Sequence, residues 1–301
     1  KRTWNSQEYL RNIETTVREK CKNKKVFLFV SGGVDSTVAF SILNNALGVQ
    51  NVLGLHIDNG LMRHNESDEI LGTMKKHGYN NLHVYDASSL FLGSLKNIYD
   101  PEEKRSVIGN QFVNVKKIAL NDLGLKENEW ILAQGTIYPD TIESAGTKYA
   151  DKIKTHHNRV ESILELLEKG LIIEPLAKLY KDEVRQLGEY LGISKDLLQR
   201  HPFPGPGLGV RILCSNGIET SPDTSLCDEV ESYTEKEGYS SYVFSLKSVG
   251  VQGDSRSYEH PALLVGNRDW EKLESLSTEI TNNIKGVNRI LFGLDIEADP
   301  E

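Results

Sequence analysis

The stretch Phe29-Val-Ser-Gly-Gly-Val-Asp-Ser-Thr-Val-Ala-Phe40 joins two hydrophobic runs of different period. Residues 26–30, Val-Phe-Leu-Phe-Val, read as a buried parallel strand, and from Ser36 onward the spacing reads as a helix. Between them lie two glycines, an aspartate and three hydroxyls, but no lysine. A strand-to-helix turn of this kind aims backbone N–H groups at an anion, and glycine lets the chain approach it closely. Gly32 and Gly33 supply the approach, while Ser31, Ser36 and Thr37 add hydroxyl donors. The Walker pattern G-x-x-x-x-G-K-[ST] is absent. A lysine-free loop suits a phosphate group that leaves as a unit, its charge shared between amides and Mg²⁺, with Asp35 as a direct or water-mediated metal ligand. The alternative is a ligand-free turn of a dinucleotide-type fold, which would not need so many polar groups.

Outward from this turn the same alternation continues. Segments 52–57, 82–85, 130–133 and 171–173 read as strands, and 36–47, 66–77, 101–123, 158–168 and 181–191 as helices. Asn5-Ser-Gln-Glu8 predicts a capping box, and Asp100-Pro101 an N-cap followed by an N1 proline. These lengths predict βαβ units and a doubly wound parallel α/β sheet, whose ligands sit at the carboxyl ends of strands. His201-Pro-Phe-Pro-Gly-Pro-Gly-Leu-Gly-Val210 is neither helix nor central strand, so a boundary is placed there. The expected domains are 1–200 and 201–301. In the second, a smaller α+β unit, a helix starts at Ser221-Pro222, strands cover 242–249, 261–265 and 287–292, and a helix covers 267–284.

The 301 residues, 38% apolar and 26% charged, describe an ordinary globular protein. No run reaches the ~20 apolar residues of a membrane span, and the first residues are not a signal peptide. Cys21, Cys214 and Cys227 are odd in number and far apart, which predicts no disulfide framework and fits the cytoplasm. A formal charge of −8 argues against a nucleic-acid surface, so any phosphate ligand must be met by local cations and amides.

The turn at residues 31–37 resembles the pyrophosphate loop S-G-G-x-D-S of the N-type ATP pyrophosphatases, a group similar to NAD, asparagine, argininosuccinate and GMP synthetases. Further segments resemble GMP synthetases in particular, in the family's order and over nearly the whole chain. They are Gly54-Leu-His-Ile-Asp-Asn-Gly60, Ala133-Gln-Gly-Thr136, Pro139-Asp-Thr-Ile-Glu-Ser144, Ile153-Lys-Thr-His-His-Asn158 and Tyr180-Lys-Asp-Glu-Val-Arg185. The segment His201 to Leu208 and Val249-Gly-Val-Gln-Gly-Asp254 with Arg256 complete the set. The resemblance implies an adenine nucleotide alpha hydrolase-like fold with a C-terminal XMP-binding and dimerisation domain.

On their own chemistry these residues leave alternatives. Ile57 and Asp58 end a strand beside the loop, fit to meet an adenine edge and a ribose or metal, or are a buried strand before an Asn-Gly turn. Gln134, Gly135 and Thr136 end another strand, either for close contact with a nucleotide or as a simple turn. Asp140 and Glu143 share a face if the segment is helical, where they hold Mg²⁺ or a basic loop, or merely acidify a helix start. Lys154, His156 and His157 concentrate donors in a loop, either a lid that excludes water or a solvated surface. Lys181 at a helix start is slightly unfavourable without an anion nearby. Arg105 lies on an amphipathic helix, solvated by default. The proline–glycine segment is a stiff linker, a rigid purine pocket, or both.

The resemblance assigns Ser31, Gly32, Gly33, Val34, Asp35, Ser36, Thr37, Ile57, Asp58, Gln134, Gly135 and Thr136 to ATP. It makes Asp140, Glu143, Lys154, His156, His157 and Lys181 catalytic, and Asp35 the metal ligand. Arg105, His201, Pro202, Phe203, Pro204, Gly205, Pro206, Gly207, Arg256 and Arg289 become XMP contacts, the arginines through bidentate bonds to phosphate.

The implied reaction converts XMP, ATP and ammonia to GMP, AMP and pyrophosphate through an O2-adenylyl-XMP intermediate. Ammonia comes from a glutamine amidotransferase domain or subunit; no G-x-C-x-G nucleophile motif occurs here, and Lys1 without a methionine points to a fragment rather than a separate subunit. The family's terminal lysine-proline-proline stretch is replaced by Asp295-Ile-Glu-Ala-Asp-Pro-Glu301, which leaves its XMP-binding lysine and glutamate unassigned. Two rivals predict different behaviour. Another amidating ligase, such as NAD synthetase, would ignore XMP, and a non-catalytic adenine-nucleotide sensor would bind ATP without turnover.

Overall fold

A computed structural model describes residues 4–124, 129–144, 172–200, 203, 205–218, 221–252 and 255–294, without the side chains of 142–144 and 251–256. The chain forms two compact units, Lys1–Lys96 with Val107–Leu208 and Asn97–Ser106 with Gly209–Glu301.

The first unit is built on five parallel strands: β1 (Lys25–Phe29), β2 (Val52–Asp58), β3 (Leu82–Asp86), β4 (Trp130–Ala133) and β5 (Ile172–Ile173). Their order is β3-β2-β1-β4-β5. The chain moves outward from β1 in one direction and resumes on its other side with β4. The crevice beyond the carboxyl ends of β1 and β4 is therefore the topological switch point, where such sheets bind ligands.

Helices cover both faces. Side chains alternate along each strand, so Val26 and Leu28 face one core while Phe27 faces the other. The first core holds α1 (Ser6–Cys21), α2 (Val34–Leu47), α3 (Glu66–Lys76) and α7 (Lys181–Tyr190) through Val17, Val38, Ile42, Ile70, Met74, Val184 and Leu187. The opposite face is covered by α4 (Ser88–Ser94) and α5 (Pro101–Asp122) through Phe91, Ile108, Val115 and Ala119. α2 is enclosed almost throughout, with Val34, residues 36–44 and Ala46 all buried. Its buried polar side chains bond locally, Ser41 Oγ to the Thr37 carbonyl and Asn44 Nδ2 to the Phe40 carbonyl.

Helix starts follow their sequence signals. Asn5 Oδ1 accepts the Glu8 N–H at 3.0 Å, and Asp100 Oδ1 accepts those of Glu102 and Glu103 at 3.0 and 2.8 Å. α6 (Tyr138–Ser144) and α8 (Lys195–Leu198) complete the described helices of this unit. The helix expected at 158–168 lies outside the described residues.

The second unit packs α9 (Thr224–Glu235) and α10 (Trp270–Asn283) on a four-stranded sheet. The helix expected from Ser221-Pro222 begins later, because Asp223 is its N-cap. The single strand expected over 242–249 is two, β6 (Ser240–Val243) and β7 (Ser248–Gln252). Both pair antiparallel with β8 (Ser255–Val265), but at opposite halves of it. β9 (Val287–Phe292) pairs parallel with β8, with a register shift between His260 and Pro261 that accommodates the missing proline N–H.

Candidate active site

A cavity of about 470 Å³ in the first unit opens at this switch point. Its floor comes from the ends of β1, β2 and β4, and Ser31–Ser36 form one rim.

That rim is a helix N-terminus. Gly33 is the N-cap of α2 with no side-chain cap, and Thr37 N–H is the first to find the Gly33 carbonyl. The N–H groups of the first turn before Thr37 lack intrahelical acceptors and carry the positive end of the helix dipole. Ser31 Oγ lies 3.1 Å from Ser36 Oγ, which holds the loop closed across the helix start. Gly32 has φ +81°, and a Cβ there would stand 2.2 Å from Ile70 Cδ1. Gly135 is needed for proximity: a Cβ would meet Ser36 N at 3.0 Å and the Asp35 carbonyl carbon at 3.1 Å. β4 thus delivers Gln134 and Gly135 directly onto the cradle.

Opposite stands a charged pair. Lys181 Nζ, at the start of α7, lies 2.5 Å from Asp35 Oδ2. Burial pushes the Asp35 carboxyl above its usual range, partly offset by Lys181, while the nearby Asp140 carboxylate adds to the rise. Asp35 Oδ1 is buried with no hydrogen-bond partner. That oxygen fits one coordination position of a hard cation. Among the described residues no group of three or more His, Cys, Asp or Glu could hold a metal. Asp140 Oδ2 also accepts the Ile137 N–H at 3.1 Å, fixing the start of α6.

The local charge at the cavity departs from the net acidity of the chain. Arg63, Lys116, Lys181, Arg185 and Arg200 line the cavity against Asp35, Glu66 and Asp140. Glu66, 5% exposed, ties Arg200 at 3.2 Å and Arg63 at 3.7 Å. Lys116 differs: its Nζ lies 4.9 Å from the Phe29 ring centre, burial lowers its pKa, and it has no carboxylate partner among the described residues. Phe29, Leu55, Ile57, Met62 and Phe112 make the apolar wall, suited to an aromatic base.

Behind the wall a polar chain braces the strand ends. Buried His56 places Nδ1 2.7 Å from the Val30 carbonyl and Nε2 3.1 Å from Ser67 Oγ. Ser67 Oγ donates to Asp58 Oδ2 at 2.7 Å. Since the carbonyl only accepts, neutral His56 carries its proton on Nδ1, and the single Ser67 hydroxyl hydrogen goes either to Asp58 or to Nε2, not to both at once. Burial lowers the His56 pKa, against the Val30 bond and the Asp58 and Glu66 carboxylates.

Among the expected site residues, Ser31 to Ser36, Ile57, Gln134, Gly135, Asp140, Lys181, Phe203 and Gly205 meet at this one cavity. Thr37 is fully buried behind it and Thr136 nearly so. Asp58 is engaged by Ser67 and by the Gly60 N–H, at 2.9 Å. Pro206 and Gly207 are buried, and the next residue, Leu208, donates its N–H to the Leu61 carbonyl at 2.7 Å, which ties this segment to the loop after β2.

Arg105 and Arg289 belong to the second unit. Arg105 Nε lies 3.9 Å from Glu102, and Arg289 Nη2 donates to the Val249 carbonyl at 2.7 Å. Arg256 is placed on β8 by its backbone and Glu143 on α6. Lys154, His156, His157, His201, Pro202 and Pro204 lie outside the described residues. The sequence reading did not single out Arg63, Glu66, Lys116 and Arg200. Phe112 and Lys116, four apart on one helix face, were a legible signal for a cation set on an aromatic surface.

Comparison with known proteins places this geometry. An NAD synthase family model matches residues 6–154. A probable glutamine-hydrolysing GMP synthase of Leptospira interrogans is 46% identical over 99% of this chain and 49% of its own length. The glutamine-hydrolysing GMP synthase of Methylobacillus flagellatus is 41% identical over 99% of this chain and 60% of its own length. Over nearly its whole length the chain is similar to the synthetase portion shared by glutamine-hydrolysing GMP synthases. It spans about half the length of the first curated relatives it matches. Among solved structures, an NMN synthetase from Francisella tularensis superposes with a TM-score of 0.50 at 18% identity, covering 69% of this chain and 79% of the other. An ammonia-dependent NAD synthetase from Campylobacter jejuni gives 0.50 at 16%, covering 67% and 80%. These share the fold of the first unit's parallel sheet.

Proposed function

We propose that the chain carries the synthetase chemistry of a glutamine-hydrolysing GMP synthase: ATP-dependent amination of XMP to GMP, with release of AMP and pyrophosphate. The observation that carries the reading is the lysine-free amide cradle with Asp35 and Lys181 at its rim. The family relatives supply the substrate.

In this reading the first-turn amides of α2, with Ser31 and Ser36, hold the departing diphosphate of ATP, and the apolar wall takes adenine. Bound Mg²⁺ would neutralise phosphate charge, held on the protein side by Asp35 Oδ1. Lys181 donates to the phosphate oxygens on which charge builds as the xanthine 2-oxygen attacks the α-phosphorus. The protein's contribution is positioning and electrostatic stabilisation. Ammonia then displaces AMP from the O2-adenylyl intermediate. Lys154, His156 and His157 form the lid, Asp140 and Glu143 organise it, and residues 201–207 with Arg105, Arg256 and Arg289 bind XMP. The second domain, 201–301, makes a homodimer, and a glutamine amidotransferase domain or subunit supplies ammonia in the cytoplasm.

The test is pyrophosphate release from ATP with ammonium chloride as nitrogen source. Release dependent on XMP supports the reading. The match to the NAD synthase model motivates the rival, so release driven instead by nicotinic acid adenine dinucleotide overturns the proposal. ATP binding without release under either condition also does so.

A further inference from the structure

In the second unit, the first turn of α5 buries an amine against a thiol. Lys104 is only 6% exposed. Its Nζ donates to the Ile212 carbonyl at 3.1 Å and lies 2.6 Å from Cys214 Sγ. No carboxylate pairs with Lys104 among the described residues, although a buried ammonium ordinarily needs one. Cys214 is free and half-buried, so a small oxidant reaches the sulfur while the amine stays sealed behind it. The 2.6 Å separation is too long for an N–S bond and very short for a thiol contact. It matches the span of one oxygen singly bonded to both atoms.

We propose that Lys104 and Cys214 form a redox-sensitive modification site, in which oxidation joins the two side chains through a single oxygen. The oxidant class is a peroxide. One hydrogen peroxide converts the thiol to a sulfenic acid, taking two electrons and leaving as water. A second takes two more electrons as the Lys104 nitrogen, its ammonium proton first released to solvent, bonds to the sulfenic oxygen; its O–O bond breaks, and one N–H and the O–H hydrogen depart in the two waters formed. The product is an Sγ–O–Nζ bridge. A thiol reductant attacks the sulfur and breaks the S–O bond, giving a mixed disulfide at Cys214 and a hydroxylamine at Lys104; a second thiol then frees the cysteine. The bridge converts Lys104 from a cation into a neutral tether and fixes the start of α5, which also carries Arg105, to residues 212–214. The proposal is independent of the assigned reaction.

The experiment treats the whole chain with hydrogen peroxide, alkylates remaining thiols, and maps tryptic peptides by mass. The expected product is a linked pair of peptides containing residues 104 and 214, heavier than their sum by one oxygen less two hydrogens. Trypsin no longer cuts after Lys104, and dithiothreitol separates the two peptides, returning Cys214 as the thiol and leaving the Lys104 peptide heavier by one oxygen. Cys214→Ser and Lys104→Arg abolish the linked species. Recovery of Cys214 as sulfinic or sulfonic acid with Lys104 unmodified would overturn the proposal. So would an unreacted Cys214 under conditions that oxidise Cys227. Because the wild-type chain alone gives the decisive product, a variant that fails to fold does not cloud the outcome.

Discussion

Gly32→Ala probes the cradle most directly, because two separable penalties act at one atom. Gly32 has φ +81°, and a left-handed backbone costs alanine about 1–2 kcal/mol. The added methyl would also stand 2.2 Å from Cδ1 and 2.8 Å from Cγ1 of Ile70. Ile70 is 3% exposed and packed within the core that includes Val38 and Met74, so it cannot simply swing aside. Overpacking of this kind costs about 1–3 kcal/mol, which gives roughly 2–5 kcal/mol in all. Ile70→Val deletes the nearest atom for about 0.5–1.5 kcal/mol. In that background Gly32→Ala should lose much of its steric part, leaving a coupling of about 1 kcal/mol or more between the sites. Native-state hydrogen exchange of the α2 amides reports the first unit specifically, which global denaturation of a two-unit chain does not. Equal penalties for Gly32→Ala in the wild-type chain and in the Ile70→Val background would show that the loop does not rest on this side chain.

Two further outcomes are expected. Lys181→Met should lower XMP-dependent pyrophosphate release by about 100-fold or more, while unfolding shifts by less than about 1 kcal/mol because the pair with Asp35 is partly solvated; an unchanged rate would remove Lys181 from the chemistry. Burial holds the His56 pKa below its usual 6.5, so the folded state binds fewer protons there than the unfolded chain. This contribution is complete above pH 6.5 and declines as the pH falls toward the lowered folded value. His56→Gln should flatten the unfolding free energy between about pH 7 and 5, where one proton is worth at most about 1.4 kcal/mol per pH unit; parallel curves for the two proteins would contradict it.

The parallel sheet was legible because its strands are short apolar runs separated by helical spacing, and the periods change where the structure changes. β4 was expected at the residues where it forms, and β1 only one residue later. The second unit was harder. Residues 242–249 look locally like one strand, and only their partner shows that the chain must leave β8 at one half and rejoin it at the other. Pro261 argued for a strand start, yet it sits inside β8 at a register shift, a condition set by pairing and invisible locally. α4 was missed because Ser88-Ser-Leu-Phe-Leu-Gly-Ser94 is too short and serine-rich to show a period.

At the cavity, the glycine cradle announced itself through composition, whereas Glu66 and Arg200 carry no local signal that sets them apart from other charges. Their placement depends on which helix end the sheet brings to the switch point. The link between Asp35 and Lys181 spans 146 positions, so spacing alone could not reveal it.

The enclosure of α2 has a dynamic corollary. With almost no side chain of that helix facing water, its hydrogen-bonded amides from Thr37 onward exchange with solvent only when the surrounding layer opens. The anion seat therefore belongs to the last part of the first unit to melt. On the proposed function, motions that admit substrate and release product must be carried by segments farther from the sheet, and slowing those segments would throttle turnover while leaving affinity for diphosphate intact.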